Sequence, residues 1–375
     1  MKRHKNAIVS VTNDLYTDQR VHKICLFLQK QGYNVLLVGR IRKSSLDMDT
    51  RPYKTKRMRL FFEKGAFFYA EYNLRLFLLL LFKKSTILVS NDLDTLLANY
   101  VTHIIKPATK LVYDSHEYFT EVPELVCRPK VKRIWEKIEG FIFPKLKYIY
   151  TVNDSIASLY KEKYQKDLYV VRNISPTWQE DNSLKSKSEL GLPENKKIII
   201  IQGAGINIDR GAEEAVEAMQ FIENAILLIV GDGDVLPYLK SYVNKYQLSD
   251  KVIFVGKKPY FEMMNYTFHS DIGLTLDKPT NINYKNSLPN KLFDYIHAFT
   301  PIICTNIFEV QRVVKHYSIG LIIEDFNTKT LVQTINSLLE NENLLNEMKL
   351  NCAKAKQIEN WENEVMKLSE IYPEI

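Results

Sequence analysis

Two groups of residues in this chain have types and spacings suited to chemistry: a cationic, glycine-bearing set in the second half and an acidic set with a histidine in the first. The cationic set begins in Asn286–Cys304, N-S-L-P-N-K-L-F-D-Y-I-H-A-F-T-P-I-I-C. Pro289 sits where its fixed φ suits entry to a helix, and Asn290 is expected to cap the free N–H groups behind it. Leu292, Phe293 and Ile296 give that helix a buried stripe. Lys291 in the first turn makes the tip a site for an anion. Asp294 lies one turn on, along the same side. A phosphate at the tip with a carboxylate for sugar hydroxyls beside it would hold a nucleotide. A capped core helix accounts for the same residues without a ligand.

The partner of this stretch is Gln202–Gly211, Q-G-A-G-I-N-I-D-R-G, directly after the apolar run Ile198–Ile201. Gly203 and Gly205 let backbone approach a phosphate closely, and Arg210 adds a fixed charge with several donors. The spacing is not G-x-G-x-x-G and no Lys-Ser/Thr follows, so the ordinary dinucleotide and ATP signatures are absent. A plain strand–turn–helix with a surface arginine fits the loop taken alone. Both stretches follow strands, at the edge where open α/β sheets bind ligands, and two cations converging there suit a diphosphate.

The acidic set lies after three strands of the first half. Asp18 and Arg20 follow the first, Asp92 and Asp94 another, and Asp114-Ser115-His116-Glu117 a third. Asp18 and Asp92 also read as helix caps, and His116 as a loop histidine. Asp92-x-Asp94 has the look of a metal motif, but capping explains it better, and no metal is expected.

These residues need a frame, and the hydrophobic pattern supplies one. Ala7–Thr12, Asn34–Gly39, Ile87–Ser90, Lys110–Tyr113 and Tyr148–Val152 read as short buried strands separated by helix-length segments. Asp18–Gln31 is expected as a helix with Val21, Ile24, Cys25 and Leu28 on one face, ended by Gly32. Asn173–Ser188 reads as a linker. The alternation then restarts with strands at Ile198–Gln202, Ala225–Val230, Val252–Val255, Ile272–Leu276, Pro301–Cys304 and Gly320–Ile323. The expected fold is α/β: two Rossmann-like domains, each a parallel doubly wound sheet, facing a central cleft. The domains are placed at 1–178 and 179–358, with 359–375, around Trp361, crossing back to the first.

Arg51–Lys84 interrupts the first alternation. Five basic residues (Arg51, Lys54, Lys56, Arg57, Arg59) precede Phe61, Phe62, Phe67 and Phe68, and Leu76–Phe82 is apolar throughout. A spanning helix needs roughly 20 such residues, and Arg75 and Lys83 bracket this run too closely. A buried crossover helix is one reading. An interfacial element, with aromatics in lipid and bases on anionic headgroups, is the other.

With 375 residues the chain can bury two ordinary cores, and 46% apolar and 25% charged residues fit a soluble globular protein. Cys25, Cys127, Cys304 and Cys352 lack metal-ligand spacing and fit free thiols in a reducing compartment. Ala7–Val11 is too short for a signal peptide and reads as a first strand. The net charge of +7 combines a basic residue 1–178 half with an acidic 179–375 half. Nucleic acid is not the expected partner, because no zinc-finger, RNP-type or basic-zipper signature is present.

Together, Q-G-x-x-N-x-x-R-G at 202–211, G-D-G at 231–233, V-x-F-V-G at 252–256 and S-L-P-N-K-L-F-D-Y at 287–295 resemble the GT-B glycosyltransferases of family four, over nearly the whole chain. The resemblance implies transfer of a sugar, with retention and without a metal, from a nucleoside-diphosphate sugar to an acceptor hydroxyl. UDP- or GDP-sugar is the expected co-substrate, with no further cofactor. It implies a catalytic set of His116, Arg210 and Lys291, with His116 near the donor sugar. Donor binding would fall to Gly203, Gly205, Arg210, Gly256, Asn290, Lys291 and Asp294, the last on the ribose. Asp18, Arg20, Asp92, Asp94 and Glu117 would line the acceptor side. Asn286 stands where the family pattern has a glutamate on the transferred sugar, which is a departure. The acceptor is expected to be a sugar or a lipid-linked acceptor for cell-surface polysaccharide or glycolipid. The protein is expected in the cytoplasm, peripheral on the inner membrane face, with 51–84 on the anionic surface. A nucleotide-sugar epimerase and a catalytically silent binding scaffold on the same fold are the alternatives.

Overall fold

The computed structural model describes residues 5–16, 18–43, 45, 47–178 and 184–372. Positions 179–183 of the expected linker, and Thr17, lie outside them. The chain divides into two compact units, Met1–Asn173 with Val365–Ile375, and Ile174–Glu364.

Unit 1 holds the strands β1 (Asn6–Asp14), β2 (Asn34–Ile41), β3 (Lys54–Arg59), β4 (Ile87–Asn91), β5 (Lys110–Ser115), β6 (Tyr148–Thr151) and β7 (Tyr169–Val170). They form a parallel sheet in the order β3-β2-β1-β4-β5-β6-β7. Its helices are α1 (Gln19–Lys30), α2 (Gly65–Phe82), α3 (Leu93–Ile105), α4 (Pro123–Val126), α5 (Pro129–Ile142) and α6 (Asp154–Tyr164). Central strands such as Ala7-Ile8-Val9 are buried on both faces, as helices on each side of a parallel sheet require. In α1 the expected face of Val21, Ile24, Cys25 and Leu28 is fully buried, Asp18 caps the first turn through Val21 N–H, and Gly32 follows in the left-handed region.

The sequence reading of 51–84 needs correction. Lys54–Arg59 is strand β3, in register with β2, so the sheet continues where an interruption was expected. Its basic alternation is that of an edge strand, where lysine and arginine on the rim keep further strands from adding. The apolar helix starts earlier than the Leu76–Phe82 run, at Gly65. By length and composition it could cross a membrane, with a mean hydropathy of 1.3, yet it packs on the sheet as the crossover from β3 to β4. Phe68, Tyr72, Leu76 and Leu80 form its buried stripe, and the Tyr72 hydroxyl donates to Val11 O at 2.6 Å. Leu74 and Phe82 on other faces are 60% and 83% exposed.

Unit 2 holds β8 (Lys197–Gly203), β9 (Ala225–Gly231), β10 (Val252–Phe254), β11 (Ile272–Thr275), β12 (Ile302–Thr305) and β13 (Gly320–Ile323). They form a second parallel sheet, β10-β9-β8-β11-β12-β13, with helices on both faces. The strand order reverses between β8 and β11, which puts the topological switch point beside the loops after those two strands. Trp361 stays in this unit, its N–H bonded to Ser175 O at 3.0 Å, so the return to unit 1 falls after Glu364 and later than expected. Within unit 1 the returning helix Leu368–Ile371 is held by Lys110 Nζ on Ile371 O and by Tyr150 against Tyr372.

Candidate active-site clusters

In unit 2 the glycine motifs interlock at the carboxyl ends of three adjacent strands. Gly203 and Gly231 pair across β8 and β9, Asp232 N–H bonds Gly203 O, Ile206 N–H bonds Asp232 O, and Gly231 N–H bonds Gly256 O. A Cβ on Gly231 would lie 1.8 Å from Gly203 O, and one on Gly233 2.0 Å from Ile206 O. G-D-G is therefore written by backbone packing: no side chain fits where the two loops touch. A Cβ on Gly205 would meet nothing closer than Asn207 Nδ2 at 3.7 Å, and one on Gly256 nothing within 4 Å.

Arg210, Asp277 and Lys291 gather at the switch point. Arg210 Nη1 lies 3.5 Å from Asp277 Oδ1, and its guanidinium sits 4.7 Å over the Tyr284 ring. Asp277 is 2% exposed and its Oδ2 has no hydrogen-bond partner among the described residues. Burial lowers the Lys291 ammonium pKa; Asp277 opposes the fall and Arg210 adds to it. Both cations thus act on Asp277, and an anion bound at the switch point would meet positive charge from each.

Two sequence expectations fail here. Asn290 has helical φ and ψ and makes no side-chain cap; the turn from Pro289 already satisfies Leu292 N–H through its carbonyl. Asp294 does not lie open for a ribose. It is 5% exposed, and it accepts from Ser175 Oγ at 2.5 Å, Tyr260 OH at 3.2 Å and Gln202 Nε2 at 3.0 Å. Gln202 in turn accepts from Thr267 Oγ1. Asp294 is a buried tie between elements of unit 2. Asn286 turns its amide onto Ile282 O at 2.8 Å.

The acidic cluster of unit 1 is tighter. Arg20 forks onto Asp114, with Nη2 to Oδ1 at 2.7 Å and Nε to Oδ2 at 3.1 Å, and gives Nη1 to Val171 O. His116 stands between two carboxylates, Nδ1 to Asp92 Oδ2 and Nε2 to Asp114 Oδ2, each at 3.3 Å. Burial works against charge on this imidazole, but Asp92 and Asp114 outweigh it and raise the pKa to about 9. Burial would raise Asp114; Arg20 and His116 overcome it and bring the pKa down to about 2. So at neutral pH His116 is a cation and Asp114 an anion.

The cap expected of Asp92 is corrected as well. Asp92 occupies the cap position of α3 at φ 58° but makes no side-chain cap bond, because its Oδ1 accepts from His116 N–H at 2.8 Å. Asp94 accepts from Thr12 Oγ1, while its Oδ1 is buried without a hydrogen-bond partner among the described residues. Burial, with Asp92 next to it, pushes Asp94 up to about 7. Glu117, half-buried, is pushed up to about 8 by burial and then by Asp92 and Glu124. Both can hold a proton near neutrality. Asp18 remains a helix cap, also accepting from Asn13 Nδ2.

The members that sequence reasoning missed are Asp277, Tyr284, Tyr260 and Ser175. Asp277 carried a usable signal, a carboxylate two residues past an apolar strand. The others are brought in by tertiary packing alone.

The class follows from the frame: two parallel α/β sheets with these loops at the carboxyl edge form the GT-B glycosyltransferase fold. Residues 182–355, most of the second unit, match the family model described as glycosyl transferases group 1. Sucrose-phosphate synthase from Thermosynechococcus elongatus superposes with a TM-score of 0.79 at 16% identity, covering 99% of this chain and 98% of that one. Anabaena HepE, solved in complex with UDP and glucose, superposes with a TM-score of 0.74 at 12% identity, covering 99% and 100%. N-acetyl-alpha-D-glucosaminyl L-malate synthase of Bacillus anthracis is 25% identical over 187 residues, 48% of this chain and 47% of that protein. The chain spans about half the length of the curated relatives it matches.

Proposed function

We propose that this chain transfers a sugar from a nucleoside-diphosphate sugar, with UDP or GDP as the nucleotide, to an acceptor hydroxyl with retention of configuration. The observation that carries the reading is the convergence of Arg210 and Lys291 on the buried Asp277 at the switch point, on a glycosyl transferases group 1 domain. Breaking the glycosidic bond leaves negative charge on the β-phosphate. Fixed donors aimed at that charge lower the barrier by several kcal/mol. Arg210 and Lys291 supply them without a metal. Gly203, Gly205 and Gly256 leave room for backbone beside the nucleotide. On unit 1, His116 is a positioned hydrogen-bond donor held charged by Asp92 and Asp114, and Asp94 and Glu117 are the groups able to exchange a proton near neutral pH. The acceptor is a lipid-linked or free sugar in cell-surface polysaccharide or glycolipid synthesis. The reaction runs in the cytoplasm, with the basic, aromatic 51–84 region on the membrane face.

Calorimetry against UDP, GDP, ADP, CDP and TDP tests the donor site. Saturable binding of one or two of these, lost in Arg210→Ala, is expected; no binding to any sinks the reading. The anomeric configuration of the product, read by NMR, tests retention. Asn286, with its amide spent on Ile282 O, favours one second reading: a chain that binds nucleotide but turns nothing over. Binding without transfer to any acceptor would identify it.

A further inference from the structure

Unit 1 carries a groove of about 990 Å³ that neither cluster uses. Its walls are α2, α3 and α5, and its volume is at the upper end of the roughly 300–1,000 Å³ that small-molecule sites occupy. Phe77, Leu97, Val101 and Ile138 line it, together with Leu74 and Ile134, which are 60% and 57% exposed. Apolar side chains left in water in one contiguous trough mark a place where something apolar lies.

One end of the trough is different. Arg40, near the end of β2, and Arg42 and Lys43 just after it meet Glu63 and Lys64 at the start of α2. The first turn of α2 contains no acidic residue, and Lys64 makes no side-chain cap. The backbone N–H groups there add to the positive end of a long helix. Arg40 is the telling residue. It is 9% exposed, its guanidinium lies 4.3 Å from the Phe68 ring centroid, and Nη1 reaches Glu63 O. Its Nε is buried with no hydrogen-bond partner, and among the described residues no carboxylate pairs with it. A buried cation without its anion is costly, and Arg20 in the same unit shows what pairing looks like.

We propose that this groove binds a single-chain lipid phosphate, with its hydrocarbon along α2, α3 and α5 and its phosphate on Arg40 and the start of α2. An apolar trough alone would accept any greasy segment. The unpaired buried guanidinium at one end selects an amphiphile with an anionic head. Insertion of α2 into a bilayer is the less suitable alternative, because it would pull Tyr72, Leu76 and Leu80, all fully buried, out of the core. The groove also adjoins the acidic cluster. Asn73, one of its lining residues, donates to Asp94 O at 2.8 Å and accepts from Ala98 N–H. A lipid phosphate held here would be the acceptor, or its carrier, in the transfer proposed above. That role rests on the glycosyltransferase reading; the binding itself does not.

The test is calorimetry of the full chain with dodecyl phosphate, dodecanol and inorganic phosphate, below the micelle concentration. Saturable binding of one dodecyl phosphate is expected, about tenfold or more tighter than dodecanol, since a charge-assisted bond is lost with the alcohol. Arg40→Gln should bring the phosphate down to the alcohol's affinity. Leu97→Trp, at a half-exposed position that leaves the core alone, should abolish both. Equal affinity for phosphate and alcohol overturns the proposal, as does binding that survives Leu97→Trp. Binding of inorganic phosphate as tight as dodecyl phosphate means a plain anion site. Binding only to vesicles containing anionic lipid means a membrane surface. A dimer seen by sedimentation and lost in Leu97→Trp makes the occupant a second copy. Lipid binding in a chain that binds no nucleoside diphosphate keeps this proposal and sinks the transferase reading.

Discussion

The two polar clusters use the same residue types in opposite ways. In unit 1 the arginine is spent: Arg20 is 4% exposed, forked onto Asp114, and its charge holds a carboxylate and a histidine in fixed states. In unit 2 the arginine is held loosely: Arg210 is 3.5 Å from Asp277, partly exposed, and seated on a tyrosine ring. The first arrangement sets proton affinities. The second keeps positive charge available where a glycine frame clears space. Burial and pairing separate the two: Arg20 is forked onto Asp114 and also bonded to Val171 O, whereas Arg210 is partly exposed and its contact with Asp277 is long.

The largest effect should come from breaking the tight pair. Asp114→Asn strands a buried guanidinium and removes one of the two carboxylates on His116. Removing one partner of a buried pair costs about 3–5 kcal/mol. Urea unfolding should show the loss, and a cost below about 1 kcal/mol would mean that Arg20 finds another anion or water. Arg210→Ala should behave in the contrary way. Stability should hold, and transfer should fall by about 10²–10³, the usual cost of one donor to a developing oxyanion. Near-normal turnover would remove Arg210 from the phosphate.

Asp94 is raised from its ordinary value to about 7, so the folded state holds a proton that the unfolded chain releases near pH 4. Its contribution is complete below the unfolded pKa and is lost as pH rises through about 7. Over that window the slope is at most about 1.4 kcal/mol per pH unit. Asp94→Asn imitates the protonated acid, so stability relative to the native chain should climb between about pH 4 and about pH 8. Parallel curves for the two proteins would show that Asp94 is ionised throughout. Asp114 acts in the opposite sense at the acid end: its pKa is lowered to about 2, so its contribution is lost as pH falls toward that value.

How far each cluster could be read from sequence follows from chain distance. The motifs of unit 2 are local: a strand, a glycine turn and an arginine within ten residues, and a proline-led helix with Lys291. Periodicity also placed the strands of both sheets except β3 and β7, because parallel strands buried on two faces are short apolar runs. The Arg20–Asp114 pair joins residues 94 positions apart, so composition could point to polar strand ends but not to their pairing. Strand β3 was hidden because an edge strand has little apolar signal; Lys54, Lys56 and Arg59 look like a solvated strip. Asp294 looked available for a ligand because helix spacing shows which side a residue faces but not what already covers it.

The smallest effect separates two aspartates that look alike in sequence. Asp18 and Asp92 each precede a helix after a strand, and both read as caps. Asp18 caps: its Oδ1 accepts Val21 N–H at 3.1 Å, so Asp18→Ala should cost about 1 kcal/mol and Asp18→Asn almost nothing. Asp92 sits at φ 58° with its carboxylate on His116, so asparagine there keeps an acceptor but removes the charge. Asp92→Asn should therefore lower the His116 pKa from about 9, seen by NMR titration of the imidazole, while Asp18→Asn leaves it in place. If the two asparagine variants shift His116 equally, both aspartates act as distant charges, and the contact seen at Asp92 contributes nothing of its own.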